Sequence, residues 1–296
     1  MNKDAVWTYL SRNELADKLK NKGIKASSYI VLQCLKHFGL GKRKLQKTGT
    51  IKTVRNRDKQ FVKIDKLRHE YEKKGLPIIS IDSKKKEDLG MLYREGKVYT
   101  TTGLNVFDHD FANLSAGKVV PHGLYDITNK KAFINLLLSK DTAEFCKFCM
   151  KEWWENHGKK DYPDARSVLV LCDGGGSNSS RHYVFKEAMS ELANELDIEI
   201  RIAHYPPYCS KYNPIEHKLF PHVTKAWNGI VLDNIFTMKK LILERVDNGN
   251  VKKIFVNLCD KIYETGKKAS EKFMENMPVI FDEFLPRWNY KFVPRA

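Results

Sequence analysis

A mixed α/β fold, with a five-stranded sheet flanked by helices behind a small all-α region, is predicted by three observations in this 296-residue chain. Short apolar runs bounded by turn residues recur from Pro77 onward, first at Pro77-Ile78-Ile79-Ser80-Ile81-Asp82 and later at Val168-Leu169-Val170-Leu171. Helical stretches with their own start signals alternate with these runs. Ahead of Gly75 and Pro77 the apolar spacing is helical throughout, so the sheet begins where the composition changes.

Asn13-Glu14-Leu15-Ala16-Asp17-Lys18-Leu19, a turn at Gly23, and Ser28 to Leu35 read as helix, turn, helix, with Ser27 or Ser28 capping the second helix. Such a pair is either a helix-turn-helix that enters a DNA major groove or an ordinary helical hairpin. The basic stretch from Lys42, Arg43 and Lys44 through Arg55 and Arg57 favours the first, because cations beside a groove reader meet phosphates. A charged helix from Arg57 to Lys74 follows, and residues 1–75 are expected to form a DNA-binding region with a basic linker helix.

The first strand ends in Asp82. Residues 90 to 120 are polar and glycine-interrupted, which predicts a hairpin and loop holding Asp108, His109 and Asp110. His122 to Ile127 and Ala132 to Leu138 flank Thr128-Asn129-Lys130, a hairpin signal in which Asp126 is a turn residue. Asp141-Thr142-Ala143-Glu144 has a capping-box pattern and opens a helix reaching His157, with Phe145, Phe148, Trp153 and Trp154 as a core stripe. A strand to Asp173, a Gly174-Gly175-Gly176-Ser177-Asn178 loop, a helix over 180–196, a strand over 198–203 and a helix carrying Glu216 complete a region spanning 76–232. Strand, hairpin, helix, strand, helix, strand, helix is the order of a ribonuclease-H-like fold, which sets its first and fourth strands side by side. Residues 233–296 are expected as a helical extension, through Met238 to Val246 and Val251 to Thr265.

The chain has 52 Lys and Arg against 36 Asp and Glu, a formal charge of +16, and a pI near 9.4. That balance points to a polyanionic partner, nucleic acid before membrane. No apolar run approaches the roughly 18–20 residues that span a bilayer. Met1-Asn2-Lys3-Asp4 lacks a signal-peptide core, so a cytoplasmic protein, nucleoid-associated when on DNA, is expected. The six cysteines are scattered, as reduced buried thiols are, and Cys146 and Cys149 have zinc half-site spacing without a second pair.

Asp82 and Asp173 end strands and Glu216 lies on a helix, in an order that lets the three converge. A lone acid at a strand end usually faces solvent. Three converging carboxylates suit two Mg2+ ions, with Mn2+ as a substitute: Asp82 and Asp173 as bridging ligands, Glu216 closing the second position. Asp108 and Asp110 are the rivals for the first acid. The triple glycine lacks nucleotide-binding spacing and instead admits a DNA backbone, with Asn178, Arg181 and Lys211 as phosphate contacts. His204 and His217 flank the site as packing or phosphate-contacting residues.

Leu171-Cys172-Asp173-Gly174-Gly175-Gly176-Ser177-Asn178, His204-Tyr205-Pro206-Pro207 and Ser210-Lys211-Tyr212-Asn213-Pro214-Ile215-Glu216-His217-Lys218-Leu219-Phe220 closely resemble the DDE transposases of bacterial insertion sequences, specifically the ISAzo-type group. That group is similar to the mariner-like transposases of the retroviral integrase superfamily, whose Pro-Pro…Asn-Pro-Ile-Glu signature recurs here. The resemblance covers roughly residues 10 to 290. It implies that Asp82, Asp173 and Glu216 are the triad of an enzyme that nicks element ends by hydrolysis and attacks target DNA with the freed 3′-hydroxyl. Double-stranded DNA and a homodimer or higher oligomer are the implied partners. Members usually carry more chain before the helix pair, so an N-terminal truncation that affects end recognition is also implied. A ribonuclease-H-like nuclease without strand transfer and a DNA-binding relic are the alternatives.

Overall fold

A computed structural model describes residue 6 and residues 8–43, 54–108, 114–246 and 249–295. The chain divides into two compact units, Met1–Thr53 and Val54–Ala296.

In the first unit, α1 (Arg12–Asn21) opens with a capping box: Glu14 N donates to Ser11 Oγ at 3.2 Å and Ser11 N donates to the Glu14 carboxylate at 2.6 Å. Ser27, of the two expected candidates, caps α2 (Ser28–His37), accepting from Ile30 N at 3.3 Å.

The second unit runs α3 (Arg57–Lys73), β1 (Ile78–Ser83), β2 (Glu87–Leu89), β3 (Gly117–Asp126) and β4 (Lys131–Leu137). Next come α4 (Ala143–Trp153), a π turn at Trp154–Gly158, α5 (Lys159–Asp161), β5 (Ser167–Cys172), α6 (Tyr183–Leu196) and β6 (Glu199–His204). Three helices follow: α7 (Pro214–Lys218), α8 (Phe220–Trp227) and α9 (Ile235–Arg245). The remaining elements are β7 (Lys253–Cys259), α10 (Glu271–Glu275), β8 (Ile280–Phe281) and β9 (Asn289–Phe292).

The strands lie in the order β7-β4-β3-β1-β5-β6-β9-β8, with β2 paired to β3. The five expected strands are its centre: β3 is antiparallel to β1 and β4, and β1, β5 and β6 run parallel. The first and fourth of them, β1 and β5, are neighbours, as the ribonuclease-H-like order requires. One face packs Ile79, Ile81, Val168 and Val170 against Phe145 and Trp153 of α4 and Phe185 of α6. The other packs Ile134 and Leu136 under Ile215, Phe220 and Met238 from α7, α8 and α9. The aromatic stripe of α4 is core, and Cys146 and Cys149 are buried with it. Asp126 caps its hairpin turn, accepting from Asn129 N at 3.0 Å and from the Tyr162 hydroxyl at 2.9 Å.

Three expectations change. The sheet has nine strands, because β2, β7, β8 and β9 extend the five. Residues 253–259, expected as helix, form β7 parallel to β4, from Lys131↔Lys253 to Leu137↔Cys259. Ile-Phe-Val is a β-favouring run, and the β4 edge supplies the ladder that a helix reading ignores. Residues 233–296 are therefore mixed, with α9 and α10 accompanied by three strands. Lastly, α3 belongs with the sheet rather than with residues before 75: Ile64, Leu67 and Tyr71 pack on Ile78, Leu169 and Leu171. Charged residues around that stripe at helical spacing disguised it. No described helix is long and apolar enough to cross a membrane.

Candidate active site

Strand alternation puts Ser80 and Asp82 on one face of β1. The β1–β5 register pairs Ser80 with Leu171, and two residues further along it brings Asp82 level with Asp173, just beyond β5. Across β3, Asp82 pairs with Gly123. A Cβ on Gly123 would come within 2.7 Å of Ile215 Cδ1 and 2.9 Å of Phe220 Cε1. Glycine there is what lets α7 lie against the sheet.

Glu216 is delivered by a buried clasp. Ser80 Oγ donates to Asn213 Oδ1 at 2.5 Å and accepts from Ile215 N at 3.0 Å, while Asn213 Nδ2 donates to the Ile81 carbonyl at 3.1 Å. Both side chains are wholly buried. Pro214 at the first position of α7 sets the helical φ where no N–H is needed. Together these hold Glu216 beside Asp82.

The three carboxylates sense one another. Asp82 is buried, and burial first, then the charges of Asp173 and Glu216, push its carboxyl up to about 8 against the opposing Ser83 N–H. Burial also raises Asp173, opposed by the Gly175 N–H at 3.0 Å. Glu216 is raised by burial and by Asp173, and is stabilised as the anion by a hydrogen bond with Asp82 and by Lys84. Both Asp82 and Glu216 are thus shifted toward the protonated form. Among the described residues, no three His, Cys, Asp or Glu side chains are gathered tightly enough to grip an ion as they stand. The donors are all carboxylate oxygens on neighbouring elements, the set that hard divalent cations prefer, so the residues fit such an ion.

One cleft reaches an acid, and a second opens at Gly176, beyond the turn that follows Asp173. The first, of about 620 Å3, runs from Glu216 between Lys84, Lys85, Lys86 and Arg94. The other, of about 920 Å3, is lined by Gly176, Arg181, His182, Tyr183 and Lys267. Lys86 lines both. Arg181 is exposed, as is Lys211, whose Nζ lies 5.0 Å over the Tyr212 ring.

Other expected contacts fall elsewhere. Asn178 is only 2% exposed, enclosed by protein rather than presented to a phosphate. Arg57 is half-buried and donates to Cys209 Sγ at 3.3 Å, tying α3 to the loop before α7. Arg55 is exposed, and so are Lys42 and Arg43 in the first unit. Lys44, His109 and Asp110 lie outside the described residues. Asp108 is exposed on the loop after Phe107, whereas Asp82 is buried on β1 level with Asp173. His217 is exposed. His204 is wholly buried, which lowers it to about 4 and keeps it neutral. Sequence reading missed Ser80, Gly123 and Tyr290; a serine within an apolar strand, two positions before the acid, was the available signal.

A family model described as the Rhodopirellula transposase DDE domain matches residues 1–294. No curated protein matches the chain. Among solved structures, the Mos1 transposase paired-end complex with left transposon end is similar at 16% identity and a TM-score of 0.46, over 81% of this chain and 66% of that one. The Mos1 strand transfer complex gives 16% and 0.47, over 84% and 74%. The catalytic domain of Mos1 mariner transposase gives 14% and 0.46, over 69% and 87%. The chain therefore spans just under two thirds of the first of these proteins, at 66%.

Proposed function

The chain belongs to the transposase DDE-domain family that matches residues 1–294, and on that premise we propose that it cuts DNA at insertion-sequence ends and joins the freed 3′-hydroxyl to target DNA. The observation that carries this reading is placement: β1 sets Asp82 level with Asp173 at the end of β5, and the Ser80–Asn213 clasp fixes α7, which carries Glu216, against β1. These three are the proposed catalytic acids and metal ligands. Two Mg2+ ions, or Mn2+, would supply activation of the attacking water or hydroxyl and stabilisation of the leaving oxygen.

The chain's own groups do the rest. Lys84, Lys85, Lys86 and Arg181 line the two clefts and are suited to holding a phosphate backbone. The side-chain-free turn at Gly174 and Gly175 lets that backbone approach Asp173. Because burial and neighbouring charge favour protonated Asp82 and Glu216, a cation held by them would bind more strongly as pH rises. Double-stranded DNA is the proposed partner. In this reading the helix pair and basic stretch ahead of α3 bind element ends, the sheet unit that α3 joins carries the chemistry, and a homodimer or higher oligomer holds two ends together in the bacterial cytoplasm.

The test uses labelled element-end DNA and a plasmid target, with Mg2+, Mn2+ or EDTA. Asp82→Asn, Asp173→Asn and Glu216→Gln should each lower cleavage more than about a hundredfold, because a lost ligand removes several kcal/mol of transition-state stabilisation. DNA binding should persist. Full activity in Asp82→Asn with loss in Asp108→Asn would show that the first acid is misassigned, and undiminished cleavage in EDTA would end the metal reading. Cleavage without joining under every metal would make the protein a nuclease.

A further inference from the structure

Asp173 sits on the turn after β5, and that turn is held by buried His204 at the end of β6, which is in turn held from β9. The Asp173 carbonyl is 2.9 Å from His204 Nδ1, and His204 Nε2 is 2.7 Å from the Tyr290 hydroxyl. A carbonyl only accepts, so Nδ1 carries the ring proton and Nε2 accepts from the Tyr290 O–H. Cys172 Sγ lies 3.3 Å from the same Nδ1. The opposite side of His204 is also fastened: its carbonyl accepts from Gln60 Nε2 at 2.9 Å, and Gln60 and Asn289 exchange amide hydrogen bonds at 3.0 and 2.7 Å. His204, Gln60 and Asn289 are all 0% exposed and Tyr290 is 2% exposed. Apolar side chains would fill this space at lower desolvation cost. The polar relay therefore calls for a role, and neither His204 nor Tyr290 lines either cleft.

We propose that His204 and Tyr290 are positioning residues for Asp173, holding its backbone so that the carboxylate faces Asp82 and Glu216. The role rests on the reading of Asp173 as a metal ligand. It makes β9, far along the chain from the acids, part of the catalytic unit.

Four variants of the full chain test it. Tyr290→Phe keeps the ring and removes the hydroxyl. In His204→Asn the amide nitrogen stands near the place of Nδ1 and keeps the donor to Asp173, whereas in His204→Gln it extends toward the place of Nε2 and abandons that donor. Asp173→Asn tests the underlying reading. Mn2+ binding by electron paramagnetic resonance and cleavage kinetics are measured side by side, with thermal melting as the folding control. Tyr290→Phe and His204→Gln should weaken Mn2+ binding and lower kcat roughly tenfold, the lower end of what losing an outer-shell partner does. KM for DNA should stay put, and His204→Asn, which loses the Tyr290 partner and keeps the donor to Asp173, should fall less than His204→Gln. Wild-type Mn2+ binding in Tyr290→Phe, or His204→Asn no better than His204→Gln, overturns the proposal; if His204→Gln does not fold, Tyr290→Phe decides. An inactive Asp173→Asn beside a flat His204 and Tyr290 series removes the positioning role alone. A fully active Asp173→Asn removes the reading beneath it.

Discussion

At the scale of single residues, Asp82 shows how far the site is held from its resting chemistry. Its folded pKa of about 8 lies above its unfolded value, so the folded, metal-free chain holds the proton more tightly than the unfolded one. Its effect on stability is therefore absent at low pH and becomes a loss as pH rises from about 4 to about 8. Metal-free Asp82→Asn should melt above wild type at pH 8, by roughly 3–6 °C for about 1–2 kcal/mol in a chain of this size. The gap should close toward pH 5 and reverse when Mg2+ is added at pH 8. A melting series in which the two proteins run parallel across that range would show that Asp82 is not under strain from its neighbours. That Asp82 and Asp173 would end neighbouring strands was legible in the sequence, because each follows a recognisable apolar run. Ser80, Gly123 and Tyr290 were not, since their roles come from partners across the fold.

At the scale of elements, the β1–α7 clasp is the joint on which the site turns. Ser80→Ala strands the buried Asn213 Oδ1 and Ile215 N–H, each of which costs about 1–3 kcal/mol when left unpaired. The variant should lose stability by roughly 2–4 kcal/mol in denaturant titration, and its cleavage rate should fall further than its DNA affinity. Equal losses in both would mean that α7 stays in place without the clasp. Element existence was readable wherever periodicity was strong, as in the central five strands and α6. It failed at β7, whose apolar run fits either helix or strand, and at β9, a four-residue strand whose partner is β6 through Ala203↔Asn289. Both strands exist because an edge was waiting for them, and an edge is not a local property.

Over the whole molecule, the +16 charge sets how the protein meets its substrate. If four phosphates are contacted, affinity should fall roughly a hundredfold between 50 and 200 mM salt, following a log-log slope of about −0.9 per contact. A flat response would leave the basic composition without a partner. Removing residues 1–53, a compact unit of its own, should reduce sequence-specific binding far more than nonspecific binding. The order of the central strands was legible from the succession of strand, hairpin, helix, strand, helix and strand, although β1 and β5 pair across a long stretch of sequence. The division into units was not, because the charge of α3 concealed the stripe that docks it on the sheet. One more consequence lies in β9. During synthesis at about 5–20 residues per second, Tyr290 follows Glu216 by roughly 4–15 s. Through that interval a nascent chain on the ribosome has all three acids and lacks the strand that pairs with β6. A message broken ahead of the Tyr290 codon would leave its product in that state for good, without the strand whose hydroxyl meets His204.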